Sequence, residues 1–465
     1  MFRISPILRT DSYKASHFLQ YPPNTTGMYS YLESRGGRYG RTVYFGLQYL
    51  LKEYFEGSVV TPGDVEIAKQ FFEAHGEPFP YEGWMRIATK LGGRLPVRIK
   101  AVPEGTVVPT HNVLMTVEST DPSTDPSTFW VASWLETQIV RNGWYPITVA
   151  TQDWHIKKII LEYLMETAND PLGELPFKLH DFGARGVSSP ESAGIGGMAH
   201  LTQFKGSDTV EGVLFANRFY HCLMAGFSIP AAEHSTITIW GREHETEAYQ
   251  NMLRHFAKPG KLLACVSDSY DIWNAVENIW GDELRDAVQT SGATVVVRPD
   301  SGNPPEVVLK CLQILERKVG MEKNLRGYKV LPSYFRLIQG DGVNEDSIAE
   351  ILSVMKTHGY SASNIAFGCG GALLQKLDRD TQKFAFKCSE GTVDGLPRDV
   401  FKDPVTDAGK RSKAGRMSLV MRNGAFETIH GEVNDSLLVP VFENGQLLVD
   451  HKLEDIRRRS DIALM

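Results

Sequence analysis

Four short apolar runs in this chain end among acidic and glycine residues: LLACVSDS around Asp268, ATVVVRPDSG around Asp300, FRLIQGDG around Asp341, and NIAFGCGG ending at Gly371. Parallel β/α folds place their chemistry at the carboxyl ends of strands, so acids and glycines at these positions read as an enzyme's working edge. Gly368-Cys369-Gly370-Gly371 closes an apolar strand and precedes ALLQKL, which reads as a helix. Backbone N–H groups there, at the positive end of a helix, suit a phosphate. A tight turn needing glycine is the plainer alternative. The stretch from Lys402 to Arg416 carries five Lys and Arg against two Asp, and reads either as a solvated basic loop or as a site for a small polyanion.

Several common chemistries are absent. The chain has no GxxxxGK[ST], HExxH or GxSxG, and no Cys/His cluster, which argues against a P-loop enzyme, a zinc hydrolase and a serine hydrolase. Gly194-Ile195-Gly196-Gly197-Met198-Ala199 approximates a dinucleotide fingerprint but follows the polar segment PESA rather than a strand.

The elements that must position these residues follow from local patterns. After QGDG, Asn344 can cap a helix whose apolar face is Ile348, Ile351, Leu352 and Met355, with Gly359 as its stop. Pro304 and Pro305 open another that carries Val308, Leu312 and Leu315. The spacing between runs, about one βαβ unit each, predicts alternating strand and helix over roughly 150 to 390. Residues 95–120 are β-rich, and Asn423-Gly424 and Asn444-Gly445 sit between apolar runs as hairpin turns. These patterns predict an α/β protein. Its central barrel covers 150–387, and a discontinuous β-rich α+β domain covers 1–149 and 388–465.

Composition bounds the class. A chain of 465 residues predicts two domains or one large domain with an elaborate second part, and 42% apolar with 23% charged residues is ordinary for a globular protein. Its net charge of −7 argues against nucleic-acid or membrane-surface partners. Five cysteines without a CxxC pair fit a reducing cytoplasm. There, the Asn24-Thr25-Thr26 sequon carries no meaning. The amino-terminal stretch has no long apolar core, and no run approaches a membrane span.

Longer motifs carry a resemblance. Asp11-Ser12-Tyr13-Lys14, YPPNT, FGLQY, HDFGARGVSS (180–189), KGSDTV (205–210), PAAEHSTITIWG (230–241), VSDSYDIWNA, RPDSGNP, QGDGV, FGCGG and FKDPV follow one another in the chain. In that order they resemble the nicotinamide phosphoribosyltransferases of the type II phosphoribosyltransferase family.

The resemblance implies an irregular β/α barrel of the type II kind and a homodimer with shared active sites. The implied reaction joins nicotinamide to phosphoribosyl pyrophosphate (PRPP), giving nicotinamide mononucleotide and pyrophosphate, with Mg²⁺ on the diphosphate and ATP as co-substrate. Phe182 resembles one face of the pyridine sandwich, with Tyr13 of the other subunit as the second face and Asp11 near it. Arg185 resembles the residue beside the carboxamide oxygen, and Asp208 the acceptor of the amide N–H. Asp300, Gly340 and Asp341 would hold ribose hydroxyls or the metal-bound sugar, and Gly370 and Gly371 the 5′-phosphate. Arg35, Arg298, Arg379, Lys387, Lys402 and Lys410 would surround phosphate and pyrophosphate. His234, with Glu233 beside it, resembles the histidine that takes a phosphoryl group from ATP, and Asp268 its orienting carboxylate. A helix start is the plain alternative for His234.

Two other readings stand beside this one. Nicotinate phosphoribosyltransferase shares the fold and mechanism, but Asp208 would repel the carboxylate of its base. A non-catalytic binding module on the same scaffold is the second.

Overall fold

A computed structural model describes residues 5–406 and 411–464. The chain divides into two compact units: Met1–Thr151, Phe219–His221 and Leu377–Met465 form one, and Gln152–Arg218 with Cys222–Lys376 form the other. The second unit ends at Lys376, ahead of the expected 387. Phe384–Val393 pairs along its length with Thr25–Ser34, which draws residue 387 into the first unit's sheet.

In the first unit, seven antiparallel strands lie in the order Leu396–Asp399, Phe384–Val393, Thr25–Ser34, Val113–Ser119, Val97–Ala101, Val439–Glu443 and Gln446–Leu447. Both ends of the chain therefore build one sheet. Trp84, Trp130 and Trp134 pack with centroids 5.2 to 5.5 Å apart in its core, and Phe72 meets Trp134 edge-on. Both Asn-Gly pairs make hairpin turns as expected. Asn423 and Gly424 have φ of 51° and 76°, and Asn444 and Gly445 have 49° and 81°, the left-handed values that a two-residue hairpin requires.

The second unit contains six parallel strands: β1 Leu179–Asp181, β2 Gly206–Ser207, β3 Leu262–Val266, β4 Thr294–Arg298, β5 Phe335–Gln339 and β6 Ile365–Cys369. Their order is β2-β1-β6-β5-β4-β3. An extended segment over 227–232 joins the two edges. Ser207 N–H donates to Phe227 O at 3.0 Å, and Ala232 N–H donates to Ala264 O at 2.9 Å. The sheet thus closes into an irregular β/α barrel, as expected.

The helices that follow the strands form for the local reasons read above. Asn344 accepts from Asp346 and Ser347 N–H, and Ile348, Ile351, Leu352 and Met355 are buried along Glu345–Thr357. Asn303 caps Pro304–Val319 in the same way.

One reading needs correction. ALLQKL is not a helix: only the single turn Gly371–Leu374 forms, since Gln375 leaves the helical region and Asp378 caps the next turn. The glycines of 194–199 lie inside the helix Pro190–His200. A Cβ on Gly197 would meet Gly212 Cα of the helix Val210–Tyr220 at 2.8 Å, so these glycines let two helices touch backbone to backbone.

Candidate active site

Small barrels are normally filled by their inward side chains. Here Ala231, Ala264 and Ala366 stand among Val296, Ile338 and Ile229, and these short side chains leave a bore of about 620 Å³. Lys178, Glu174, Arg336 and Ser363 line it at the amino ends of the strands. Burial lowers the Lys178 pKa, while Glu174 at 3.0 Å pulls it the other way.

At the carboxyl ends of the strands a second cavity, of about 440 Å³, is lined by polar groups. Nine of the residues singled out from the sequence meet there: Phe182, Arg185, Asp208, Arg298, Asp300, Gly340, Asp341, Gly370 and Gly371. Phe182, Asp208 and Arg298 line both cavities and stand at their junction.

Local structure explains each placement. Phe182 follows β1, donates its N–H to Cys369 O at 2.9 Å, and lays its ring on Gly368. A Cβ on Gly368 would fall 2.0 Å from Phe182 Cε2, so only glycine admits the ring. Asp181, before it, is buried and accepts the Gly183 N–H at 2.7 Å, which shapes the turn leading to Arg185. Burial raises the Asp181 pKa. Asp208 N–H donates to Asp181 O at 2.9 Å, and the Ser228 hydroxyl donates to Asp208 Oδ1. Arg298, at the end of β4, donates Nη2 to Asp300 Oδ2 at 2.9 Å, and its buried Nε has no hydrogen-bond partner among the described residues. Gly340 lets β5 approach Asp300, whose Oδ1 would lie 3.0 Å from a Cβ there.

His234 is the first residue of the short helix His234–Thr238, with Glu233 at its cap position. Its Nε2 lies 3.0 Å from Asp268 Oδ1, and Ser301 Oγ donates to Asp268 Oδ2 at 2.5 Å. The Ser235 hydroxyl donates to Glu233 Oε1. Neither His234 nor Asp268 lines the two cavities. Ser301, next to Asp300, connects them to the polar rim.

The remaining residues belong to the first unit. Tyr13 is 55% exposed, and Asp11 accepts from Thr137 Oγ1 at 2.7 Å. Arg35 is held by Glu33 at 2.8 Å, and Arg379 by Asp380 at 3.1 Å. Burial lowers the Lys387 pKa; Glu136 opposes this, and the positive charges of Arg35, Lys402 and Lys14 add to the lowering. The basic stretch is partly paired off: Lys413 meets Glu33, and Arg416 meets Glu118 and Glu390. Lys410 lies outside the described residues.

Ser228, Ser301 and Thr209 are site residues that the sequence reading missed. Nothing in the spacing FSIP or RPDSG points to the carboxylates that Ser228 and Ser301 reach. Among the described residues no three His, Cys, Asp or Glu side chains form a metal-binding group. No described helix is long and apolar enough to cross a membrane.

Residues 177–446, more than half of the chain, match the model of the nicotinate phosphoribosyltransferase (NAPRTase) family. The chain belongs to this family. Residues 5–99 match the N-terminal domain of nicotinamide phosphoribosyltransferase. A nicotinamide phosphoribosyltransferase of Xanthomonas campestris pv. campestris (strain 8004) is 55% identical over 466 residues, covering 98% of each chain. Another, from Acinetobacter baylyi, is 30% identical over 510 residues, covering 98% of this chain and 97% of its own. In fold, this NAPRTase-family chain is similar to the nicotinate-nucleotide pyrophosphorylase of Pyrococcus furiosus, with a TM-score of 0.62, 18% identity, and coverage of 97% and 93%. Human nicotinic acid phosphoribosyltransferase gives a TM-score of 0.56 at 14% identity, covering 98% and 93%.

Proposed function

We infer that this protein is a nicotinamide phosphoribosyltransferase, a pentosyltransferase of NAD salvage that converts nicotinamide and PRPP to nicotinamide mononucleotide and pyrophosphate. The observation that carries this reading is the junction of Phe182, Asp208 and Arg298, where an aromatic face, a carboxylate and a guanidinium adjoin a rim of strand-end acids and glycines. Phe182 offers the pyridine ring a stacking face. Asp208 accepts the amide N–H, and Arg185 donates to the carboxamide oxygen. Nicotinate in the same place would set its carboxylate against Asp208, which disfavours the acid.

Displacement at C1 of the ribose develops positive charge on the sugar and negative charge on the leaving diphosphate. Asp300 and Asp341 accept from ribose hydroxyls, and Gly340 lets the backbone approach. Gly370 and Gly371 present N–H groups to the 5′-phosphate. Arg298 donates its unpartnered Nε to a phosphate oxygen. Asp300 and Asp341 are hard oxygen donors that would hold the Mg²⁺ carried by the diphosphate substrate, and the ion would supply neutralising charge for the leaving group.

His234 accepts a phosphoryl group from ATP, coupling hydrolysis to nucleotide synthesis. Asp268 faces Nε2, which leaves Nδ1 as the attacking nitrogen. Two copies share their sites in this reading: Asp11, Tyr13, Arg35, Arg379, Lys387, Lys402 and Lys410 of one chain complete the pocket of the other, and Tyr13 supplies the second stacking face. The enzyme works in the cytoplasm.

A product assay with PRPP and Mg²⁺ tests the reading, comparing nicotinamide with nicotinate, with and without ATP. Nicotinamide mononucleotide is the expected product, with greater yield when ATP is present. Nucleotide formed from nicotinate alone would overturn it. For the shared site, mixed dimers of Tyr13→Ala and Asp208→Ala chains should recover activity above either parent.

A further inference from the structure

Behind the wall that carries Asp208 lies a pair of ionisable side chains with no part in the reaction described above. Asp153 and His200 are both fully buried, Asp153 on the helix Glu136–Thr167 and His200 at the end of Pro190–His200. His200 Nδ1 lies 2.8 Å from Asp153 Oδ2, and His200 Nε2 lies 2.9 Å from the carbonyl oxygen of Gly206. A carbonyl can only accept, so Nε2 bears a proton and donates it. The carboxylate on Nδ1 holds the ring in that orientation, as an acid does for the histidine of a catalytic triad.

Gly206 opens β2, two residues before Asp208. A Cβ at Gly206 would fall 2.4 Å from His180 Nδ1, so the strand is pressed against His180 and gripped at its carbonyl by His200. The other end of the same peptide, Ser207 N–H, donates to Phe227 O at 3.0 Å. Phe227 precedes Ser228, whose hydroxyl reaches Asp208. One peptide therefore links the buried pair to both members of the Asp208–Ser228 contact, and hydrogen bonds in such a chain polarise one another.

We propose that Asp153 and His200 are positioning residues for base recognition: they clamp the Gly206 carbonyl and so set where Asp208 and Ser228 meet the amide of the base. The proposal rests on the assignment of Asp208 to the base. Buried ion pairs add little net stability compared with well-packed apolar side chains, so orientation is the physical use of this one. Burial opposes a charge on His200, but Asp153, Asp181 and the Gly206 carbonyl together outweigh it and raise the His200 pKa.

Asp153→Asn keeps the shape and a hydrogen-bonding group against Nδ1 while removing the charge. The KM for nicotinamide should rise about tenfold and the preference over nicotinate should narrow, with the KM for PRPP nearly unchanged. A merely structural role would lower the melting temperature and the active fraction and leave both KM values alone, and that result overturns the proposal. A measurement on the unaltered enzyme covers the case of a variant that does not fold: the ¹⁵N spectrum of the His200 ring should show a protonated Nε2. An unprotonated Nε2 overturns the proposal as well. Asp208→Ser is assayed in parallel. If base choice moves with Asp208→Ser but not with Asp153→Asn, only this inference fails; if it does not move with Asp208→Ser, the assignment of Asp208 fails first.

Discussion

In the antiparallel sheet of the first unit, Arg98 bridges Glu118 and Glu443, its partners on the two neighbouring strands; Arg416, in the loop before the strand Met417–Arg422, reaches Glu118 and Glu390 of the same sheet at 2.8 and 3.0 Å. On the barrel rim of the second unit, among the described residues, Arg298 meets a single carboxylate, Asp300, and keeps a buried Nε without a partner. The topologies account for the contrast. Antiparallel neighbours set opposite charges directly across from one another, where they pair. Parallel strands all end on one side, so their terminal side chains converge on an open centre and point at whatever enters it. Similar residue types thus make a scaffold in one unit and a site in the other.

Gly368→Ala would break this contrast most severely. The new Cβ would displace the Phe182 ring, and kcat/KM for nicotinamide should fall at least about 100-fold. Steady-state kinetics beside a urea melt check it; a fall in stability with kinetics intact would show that the ring has another place to go. Asp208→Ser should act next most strongly, narrowing the preference for nicotinamide over nicotinate by about 10- to 100-fold, because it removes the charge that repels the acid. Competition between the two bases measures that ratio.

Arg416→Ala probes the scaffold side. Glu390 loses its partner and Glu118 keeps only Arg98, so urea denaturation should report a loss of about 1–3 kcal/mol, with KM for both substrates unaltered. The smallest effect is expected at His451, a first-unit residue whose Nε2 accepts from Glu104 N–H and whose pKa burial lowers to about 4. The unfolded chain protonates its histidines near pH 6.5 or about that value, so His451 withdraws stability as pH falls from there toward 4. His451→Gln should therefore lose less stability than the parent between neutral pH and pH of about 4.5. Glu104, whose pKa burial raises, works in the opposite sense in both proteins. Parallel stability curves for parent and variant would refute the assignment.

Much of the fold, in both units, was legible in the sequence because its signals are local. Asn344 caps its own helix, Pro304 and Pro305 sit in a first turn, and both Asn-Gly pairs take the left-handed values of a hairpin, all within a few residues of chain. Strand-end acids and glycines likewise announced the rim, since a parallel strand always delivers its last residues to the same side. ALLQKL was misread because helical pattern alone does not show that Asp378 will cap a new turn and end the helix early.

The sequence by itself determined the family resemblance, the strand ends and nine of the residues that share the polar cavity. Only the tertiary structure decided what orients them. Ser228 reaches Asp208 across 20 residues, Ser301 reaches Asp268 across 33, and His200 reaches Asp153 across 47. It also decided that the bore stays open, since alanines at 231, 264 and 366 become one wall only when 227–232 bridges the sheet's edges. Side-chain periodicity reports which face of an element is buried. It does not report which distant element will supply the partner, because that depends on how the strands are ordered when the barrel closes.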